Sequence, residues 1–365
     1  MTVDIAELRR RARAALPPDV YAYYATGAGR EVTLRAATKA WRHVQFLPHV
    51  LRDVSDVDTS LRLPGLAGGP LRTPIAVAPT AFHSLAHPDG ELATAAGAAQ
   101  AGALFVLSTR SSRKIEDVAS VVAAAGGTWW FQVYVLRDRQ LTASLARRAA
   151  AAGAQALVLT GDTPKVGRRG RARGEAIITD ADFQVNVGPL ADDRLAEPAG
   201  DVTMSDIHWL ADLSGLPVVV KGVLRGDDAL ACAAAGAAGV IVSNHGGRQL
   251  DRAVPTAAAL AGVSAAADDV PGGLDVFVDG GVRSAEDVLA ALALGARLAF
   301  LGRPILWALA TGGAPSVRAL LEDLTADLSY VLALAGLTSP GQARDIGAVA
   351  PSTLARAPHR HNVEA

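Results

Sequence analysis

A histidine and an arginine, His245 and Arg248, stand three residues apart directly after the apolar run of residues 239–242. Histidine takes and returns a proton near neutral pH, and arginine presents a planar fork of donors that matches a carboxylate. Gly246 and Gly247 lie between them and permit a tight turn with positive φ. The pattern predicts proton transfer beside a bound carboxylate at a strand end. A surface turn with an incidental histidine is the alternative.

Seven other short apolar runs also end abruptly in polar or glycine residues, and alanine-rich helical patterns follow them. The eight predicted strands lie within residues 75–78, 103–107, 129–134, 156–159, 218–220, 239–242, 276–278 and 298–301. Strands that alternate with helices over short connections indicate an α/β fold, a parallel (β/α)8 TIM barrel rather than an open doubly wound sheet. The active site of such a barrel is built at the C-terminal rim of its strands.

The chain is predicted to form one domain over residues 1–365. Residues 1–74 form a helical lead-in, broken at Pro17 and Pro18, and residues 75–310 form the barrel. A long irregular segment after the fourth strand, residues 165–206, is expected to be a lid loop over the site. Residues 311–350 are assigned to C-terminal helices, and residues 351–365 to a polar tail.

Glycines and arginines follow the seventh and eighth strands, the usual place for a phosphate site in a barrel. Glycine exposes backbone N–H groups to a phosphate, and arginine binds its oxygens. These residues predict a phosphorylated ligand, with a simple tight turn as the alternative: Asp279, Gly280, Gly281, Arg283, Gly302 and Arg303.

Two charged residues at other strand ends extend the predicted site. Lys221 ends the fifth strand, where a buried ammonium needs an anion, either a reduced flavin or a structural ion-pair partner. Asp162 follows the fourth strand and is a candidate to fix the tautomer of His245, with capping of a loop as the alternative. Tyr23 and Tyr134 are candidates for ligand contacts, although a tyrosine in such a position is more often a core aromatic with a satisfied hydroxyl.

Composition and charge exclude several classes of function. The chain has 35 basic and 36 acidic residues and a net charge of -1, which indicates neither a nucleic-acid partner nor an acidic membrane surface. Cys232 is the only cysteine, which fits a reducing compartment. Glu7 and the arginines of residues 9–11 interrupt any signal-like apolar run, and a cytoplasmic location is expected. No metal-binding motif is predicted.

Several motifs resemble the FMN-dependent 2-hydroxy acid oxidases and dehydrogenases, a family that includes glycolate oxidase, lactate oxidase, mandelate dehydrogenase and 4-hydroxymandelate oxidase. The resemblance covers about residues 6–336, and its most specific element is Ser-Asn-His-Gly-Gly-Arg-Gln at residues 243–249. The other matching motifs are Pro-Thr-Ala at 79–81, Gln-Val-Tyr at 132–134, Asp-Thr-Pro at 162–164, Gly-Arg-Arg at 167–169, Lys-Gly at 221–222, Asp-Gly-Gly-Val-Arg at 279–283 and Gly-Arg-Pro at 302–304.

The resemblance implies oxidation of an (S)-2-hydroxy acid to the 2-oxo acid, with FMN as cofactor. His245 would be the base, assisted by Asp162, while Arg248 and Arg169 bind the substrate carboxylate. Tyr23 would help this clamp, and Tyr134 would bind the reacting hydroxyl. The residues implied to contact FMN are Pro79, Thr80, Ala81, Ser108, Gln132, Thr160, Lys221, Ser243, Asp279, Gly280, Gly281, Arg283, Gly302 and Arg303.

The resemblance leaves the electron acceptor open and implies a homo-oligomer, commonly a tetramer. Oxygen, giving H2O2, is favoured because no haem-attachment motif is present. The alternative electron acceptors are a quinone or a protein. The alternative to hydroxy acid oxidation is a different reaction of an FMN barrel, such as isomerisation.

Two residues depart from the glycolate oxidase pattern near the expected substrate pocket. Arg110 stands where many members carry an aromatic or small residue, and Gly161 stands where a β-branched residue is usual. Arg110 is interpreted either as a partner for a second anionic or polar group on the substrate, or as an outward-pointing side chain. The identity of the hydroxy acid is therefore not predicted.

Overall fold

The computed structural model describes residues 4–66, 68–168, 185–188 and 192–349. Three helices precede the barrel: α1 (Ile5–Ala15), α2 (Pro18–Ala25) and α3 (Val32–Arg42). Helix α1 begins where the Asp4 carboxylate accepts hydrogen bonds from two backbone N–H groups of the first turn, and α2 begins with Pro18 at its first position. The break at Pro17 and Pro18 is as predicted, whereas α3 was not predicted.

Eight parallel strands close into a barrel, with each strand bonded to the next and the last bonded to the first. The predicted (β/α)8 TIM barrel is therefore confirmed. The strands are β1 (Ile75–Val77), β2 (Phe105–Ser108), β3 (Trp129–Val133), β4 (Leu157–Thr160), β5 (Val218–Val223), β6 (Gly239–Val242), β7 (Asp275–Asp279) and β8 (Leu298–Leu301).

A helix follows every strand and packs on the outside of the barrel. These helices are α4 (Glu91–Gln100), α5 (Ile115–Ala124), α6 (Arg139–Ala151), α7 (Ser205–Ser214), α8 (Gly226–Ala234), α9 (Thr256–Asp268), α10 (Ala285–Ala293) and α11 (Arg303–Leu334). Helix α11 is kinked at Gly312 and Gly313, so it begins inside the segment assigned to the barrel and continues into the segment assigned to C-terminal helices. Among the described helices, none is long and apolar enough to cross a membrane.

The barrel interior is filled with aromatic side chains below the rim. The rings of Trp130, Phe277 and Phe300 contact one another, with centroids 5.6 to 6.2 Å apart. The segment before β1 closes the N-terminal end, where Leu66 is buried and its carbonyl accepts a hydrogen bond from Trp130 Nε1. Since this end is packed, the open end is the C-terminal rim, where the predicted site residues lie.

The segment between α3 and β1 contains little regular structure. Residues Gln45–Phe46 form a short antiparallel pair with Ala348–Val349, near the C-terminal end of the described chain. A single antiparallel bridge joins Leu61 to Leu71.

Candidate active site

A cavity of about 340 Å³ opens at the C-terminal rim of the barrel. This volume lies in the range of small-molecule sites, roughly 300 to 1,000 Å³. Sixteen of the residues predicted to form the site line the cavity, so residues from distant parts of the chain meet there: Tyr23, Pro79, Thr80, Ala81, Ser108, Arg110, Tyr134, Lys221, His245, Arg248, Asp279, Gly280, Gly281, Arg283, Gly302 and Arg303.

Four predicted residues lie behind this lining, and one is outside the described part of the chain. Asp162, Gln132 and Ser243 are hydrogen-bonded to lining residues, and Thr160 is hydrogen-bonded to Gln132. The prediction for Arg169 falls outside the described residues, as do residues 169–184 and 189–191 of the predicted lid at residues 165–206.

His245 is held by Asp162 across the end of β4. Its Nδ1 lies 2.9 Å from Asp162 Oδ1, and its backbone N–H donates to Ser243 Oγ over 3.0 Å. Although His245 is not a glycine, its φ is +56°, a conformation that costs energy and is kept where the surroundings impose it. The turn after β6 thus presents the imidazole edge opposite Nδ1 to the cavity.

The electrostatics of Asp162 decide which imidazole nitrogen carries the proton. Burial on its own would raise the pKa of Asp162, but the charges of His245 and Lys221 and the hydrogen bond from His245 outweigh it and lower the pKa to about 2. Asp162 is therefore ionised near neutral pH and accepts a hydrogen bond from Nδ1–H. The neutral ring is left with its lone pair on Nε2, as a general base requires.

A glycine in β5 makes room for Asp162. The register of β5 against β6 shifts between Lys221 and Val223, and Gly222 has a φ of +111°. A β-carbon at Gly222 would lie 2.6 Å from the β-carbon of Asp162. The bulge therefore places Lys221 and Asp162 side by side, which a sequence pattern of regular strands does not reveal.

Lys221 is buried and bonded to two polar residues at the ends of β6 and β7. Its Nζ lies 3.3 Å from Asp279 Oδ2 and 3.0 Å from Ser243 Oγ. Burial lowers the pKa of Lys221, but the carboxylates of Asp279 and Asp162 more than compensate and the net shift is upward. Of the two alternatives considered for this charge, the structure contains the ion pair, so a bound anion is not needed to neutralise it.

Tyr134 faces Lys221 across the rim and keeps its phenolic proton. Burial raises its pKa above the usual value, and the positive charges of Lys221 and Arg110 offset this only in part. Its backbone N–H donates to Thr109 Oγ1 over 3.2 Å, which fixes the end of β3. Tyr134 can therefore act in the cavity as a neutral hydrogen-bond donor.

Two arginines on the opposite side of the cavity bind the C-terminal end of α2. Arg248 Nη1 donates to the carbonyl of Tyr23 over 2.8 Å, and the guanidinium lies 5.2 Å from the centre of the Tyr23 ring. Arg303 donates to the carbonyls of Tyr24, Gly246 and Thr26, at 2.9 to 3.1 Å. The sequence predicted that these arginines bind ligand anions, but it did not predict their backbone carbonyl partners.

The end of the cavity that Arg283 and Arg303 line is electropositive. Burial, followed by the neighbouring charges of Arg248 and Arg283, holds the pKa of Arg303 well below its usual value. Burial likewise lowers the pKa of Arg283 to about 10. Because the charge of Arg283 helps to lower the pKa of Arg303, an anion bound beside these two guanidinium groups would stabilise them.

A chain of polar side chains crosses β2, β3 and β4 beneath the rim. Ser108 Oγ donates to Gln132 Oε1 over 3.1 Å, and Gln132 Nε2 donates to Thr160 Oγ1 over 2.9 Å. Both bonds are buried, and they fix the Gln132 amide. Three predicted cofactor residues thus form one network, although Gln132 and Thr160 are outside the cavity lining.

The structure also brings residues to the cavity that sequence reasoning gave no role. Gln249 Nε2 donates to the carbonyl of Asp162 over 2.9 Å, and its Oε1 accepts from the Gly167 N–H over 2.8 Å. Tyr24 and Phe82 line the wall beside Tyr23. Gln249 belongs to the motif at residues 243–249, which could have identified it as a site residue. Nothing in the local sequence identifies Phe82 as one.

Comparison with known proteins places the chain in a family. A model of the FMN-dependent dehydrogenase family matches residues 12–347. The chain belongs to this family. The predicted family resemblance, the FMN cofactor and the enzyme class of flavin-dependent oxidoreductase are thereby confirmed.

Members of the FMN-dependent dehydrogenase family resemble the chain over nearly its full length. It is 42% identical to a 4-hydroxymandelate oxidase of Amycolatopsis orientalis, over 94% of this chain and 97% of the relative. It is 39% identical to an L-lactate oxidase of a Nostoc species, over 92% of this chain and 94% of the relative. A solved structure of a mandelate oxidase with benzoyl-formic acid aligns with a TM-score of 0.86 at 40% identity, covering 96% of this chain and 99% of that one.

The cavity fits FMN on observations of this structure. Among the described residues, the buried atom Asp279 Oδ1 has no hydrogen-bond partner, and it lies on a residue that lines the cavity. A ribityl hydroxyl would satisfy it, and the electropositive end formed by Arg283 and Arg303 would receive the phosphate. Gly281 has a φ of +93°, and a β-carbon there would lie 2.5 Å from the carbonyl oxygen of Ala37. The turn after β7 therefore packs directly on α3.

Asp162→Asn should lower the rate of flavin reduction by about 10²-fold or more, because the amide can donate to Nδ1 and favour the wrong imidazole tautomer. FMN content should be retained, since Asp162 lies behind His245. Anaerobic stopped-flow absorbance measures the rate. A variant that reduces FMN at the original rate would show that Asp162 does not set the tautomer.

Proposed function

We propose that the protein oxidises an (S)-2-hydroxy acid to the 2-oxo acid and passes the electrons through FMN to O2, giving H2O2. The observation that carries the proposal is the contact between Asp162 and His245 at the rim of a cavity that Arg248 also lines. A base and a carboxylate-binding cation in one cavity match a substrate whose carboxylate is attached to a carbon that carries a hydroxyl group. Both cited relatives and the solved structure are named as oxidases of such acids.

In this mechanism each side chain has a separate task. Arg248, together with Arg169, binds the substrate carboxylate, and Tyr23 supports that clamp. Tyr134 donates a hydrogen bond to the substrate hydroxyl oxygen. His245 Nε2 takes the proton, and the ionised Asp162 offsets the charge that the ring gains. When bound, FMN accepts the two electrons that leave the substrate.

The remaining residues are proposed to hold the cofactor. Pro79, Thr80 and Ala81 would lie along the flavin, while Gln132 would bind its polar edge from the Ser108–Gln132–Thr160 network. Lys221 and Ser243 would bind the opposite part of the ring system. The ribityl and phosphate would contact the residues after β7 and β8, which are Asp279, Gly280, Gly281, Arg283, Gly302 and Arg303.

The test of this function follows products and oxygen together. With an (S)-2-hydroxy acid in aerated buffer, the protein should release 2-oxo acid and H2O2 in equal amounts as O2 is consumed. Reduction of a quinone or dye without O2 consumption would support the proposed oxidation of the hydroxy acid, but it would show that O2 is not the electron acceptor. Isomerised acid with no H2O2 and no reduced acceptor would contradict the proposal.

Arg283→Ala should weaken FMN binding by roughly 10- to 100-fold, the loss expected when a charged hydrogen bond to phosphate is removed. Fluorescence titration of the apoprotein with FMN measures the affinity. Arg297→Ala is the matched control, because Arg297 pairs with Asp275 at the opposite end of the barrel. Unchanged FMN affinity in the Arg283 variant would move the phosphate site elsewhere.

A cytoplasmic homotetramer is proposed as the working form. Cys232, the only cysteine, is buried, and burial raises its pKa to about 11, so it is unreactive and fits a reducing compartment. Light scattering tests the assembly. A monomer that is fully active would contradict the tetramer.

A further inference from the structure

Arg110 lines the wall of the active-site cavity. The sequence left open whether its side chain would face the substrate or point outward. Its backbone N–H donates to Ser108 Oγ over 3.1 Å, and its carbonyl accepts from the Phe82 N–H over 3.0 Å. Ser108 and Phe82 line the same cavity. Because both backbone groups are tied to rim residues, Arg110 is fixed at the C-terminal end of β2.

The Arg110 guanidinium is also held in place. Its Nη2 donates to the carbonyl of Ala196 over 2.6 Å, at the end of the turn Asp193–Ala196. Burial lowers the pKa of Arg110 below its usual value. Electrostatic interactions with Tyr134, Tyr23 and Glu197 raise it and offset this only in part. The group is therefore a partly buried cation beside the two tyrosines that flank the proposed reacting centre.

Besides Arg283 and Arg303, which are proposed to bind the cofactor phosphate, the described lining of the cavity contains Arg110 and Arg248. Arg248 is the proposed partner of the carboxylate next to the reacting carbon, and His245 lies beside that carbon. Arg110 lines the same cavity from the end of β2, so a substituent on the reacting carbon that extends toward it would meet its guanidinium. The chemistry of the wall at Arg110 therefore selects the substituent.

The choice of substituent follows from the cost of placing different groups against a partly buried cation. An apolar tail would remove water from the guanidinium and offer no hydrogen bond in return, which is unfavourable. A carboxylate would accept hydrogen bonds from the planar fork and balance its charge. The wall therefore discriminates against apolar tails and favours an anionic one.

We propose that the substrate is a short dicarboxylic (S)-2-hydroxy acid whose distal carboxylate binds Arg110 while its C1 carboxylate binds Arg248. This inference rests on the proposed function, which it narrows to one substrate class. Arg110 is thereby assigned as the residue that determines specificity for the substituent.

The test compares two pairs of acids of equal chain length. (S)-2-Hydroxybutanedioate is paired with (S)-2-hydroxybutanoate, and (S)-2-hydroxypentanedioate with (S)-2-hydroxypentanoate. At least one dicarboxylate should have a higher kcat/KM than its monocarboxylate partner. In Arg110→Leu the ratio of the two kcat/KM values should fall by roughly 10- to 100-fold in favour of the monocarboxylate, and Arg110→Lys should restore part of the ratio.

A matched control separates recognition from anchoring of the Asp193–Ala196 segment. Arg137 binds the same segment from outside the cavity, through a 2.8 Å ion pair with Glu197. Arg137→Leu should therefore leave the dicarboxylate ratio in place. A ratio that changes equally in both variants would overturn the inference, because Arg110 would then only anchor the segment.

The failures of the two proposals are distinguishable. If the monocarboxylates reduce the flavin faster and the ratio does not change in Arg110→Leu, the dicarboxylate assignment is wrong. The proposed oxidation of a hydroxy acid is then unaffected. If no 2-hydroxy acid reduces the flavin, including the aromatic acids, both proposals are wrong. Preference for an aromatic acid that is lost in Arg110→Leu would assign the guanidinium to ring stacking and contradict the dicarboxylate class.

Discussion

His245→Ala is expected to lower the rate of flavin reduction by about 10²- to 10⁴-fold, the contribution typical of a positioned general base. Its Nε2 is the imidazole nitrogen left to take a proton, because Nδ1 is bonded to the ionised carboxylate of Asp162. The proposed FMN contacts lie on other residues, so the variant should remain yellow. Anaerobic stopped-flow absorbance with a saturating hydroxy acid measures the rate.

The control for this variant is His43→Ala, since His43 is exposed after the last turn of α3. It should reduce FMN at the original rate. Flavin reduction in His245→Ala within a few-fold of the original rate would contradict the assignment of the base. A colourless His245 variant would instead show that the residue is needed to retain the cofactor.

Lys221→Met should cost roughly 3 to 5 kcal/mol of folding stability, the range for breaking one partner out of a buried ion pair. Lys221 is 4% exposed and lies 3.3 Å from Asp279, with Asp162 nearby, so the variant would leave two buried carboxylates without their cation. The FMN affinity should also fall. Urea unfolding of the apoprotein and FMN titration measure the two effects.

The double variant Lys221→Met with Asp279→Asn separates stability from cofactor binding. Removing both charges should recover part of the lost stability, because the uncompensated carboxylate at Asp279 is gone. FMN binding should stay weak, since the proposed ring and ribityl contacts are lost together. A single variant whose stability changes by less than about 0.5 kcal/mol would show that the pair is not structurally important.

Much of the barrel could be predicted because its strands are short apolar runs that end in polar residues. The β-branched run of residues 240–242 lies in β6, and most of the polar residues after the strands line one cavity. Helix α3 was not predicted, although Trp41 on its buried face donates to the carbonyl of Gly280 over 2.7 Å. That contact joins residues 239 positions apart, which no local pattern reveals.

The candidate site was predicted in its residue types but not in its pairings. Lys221 was identified as a charge that needs an anion, yet its partner Asp279 became visible only when β5 and β7 closed into one barrel. Arg303 was assigned to a phosphate, and its bonds to the carbonyls at the end of α2 depend on how the lead-in helices pack on the rim. Such pairings are set by tertiary structure, so sequence spacing does not contain them.

The central claim is that His245 and Arg248 act on a 2-hydroxy acid beside a bound flavin. The most direct measurement is the visible spectrum of the purified protein under anaerobic conditions, before and after addition of dicarboxylic, aliphatic and aromatic (S)-2-hydroxy acids. The account predicts flavin bands that bleach with at least one of these acids and return when air is admitted. Flavin bands that none of the acids bleaches, in protein that dithionite still reduces, would contradict it.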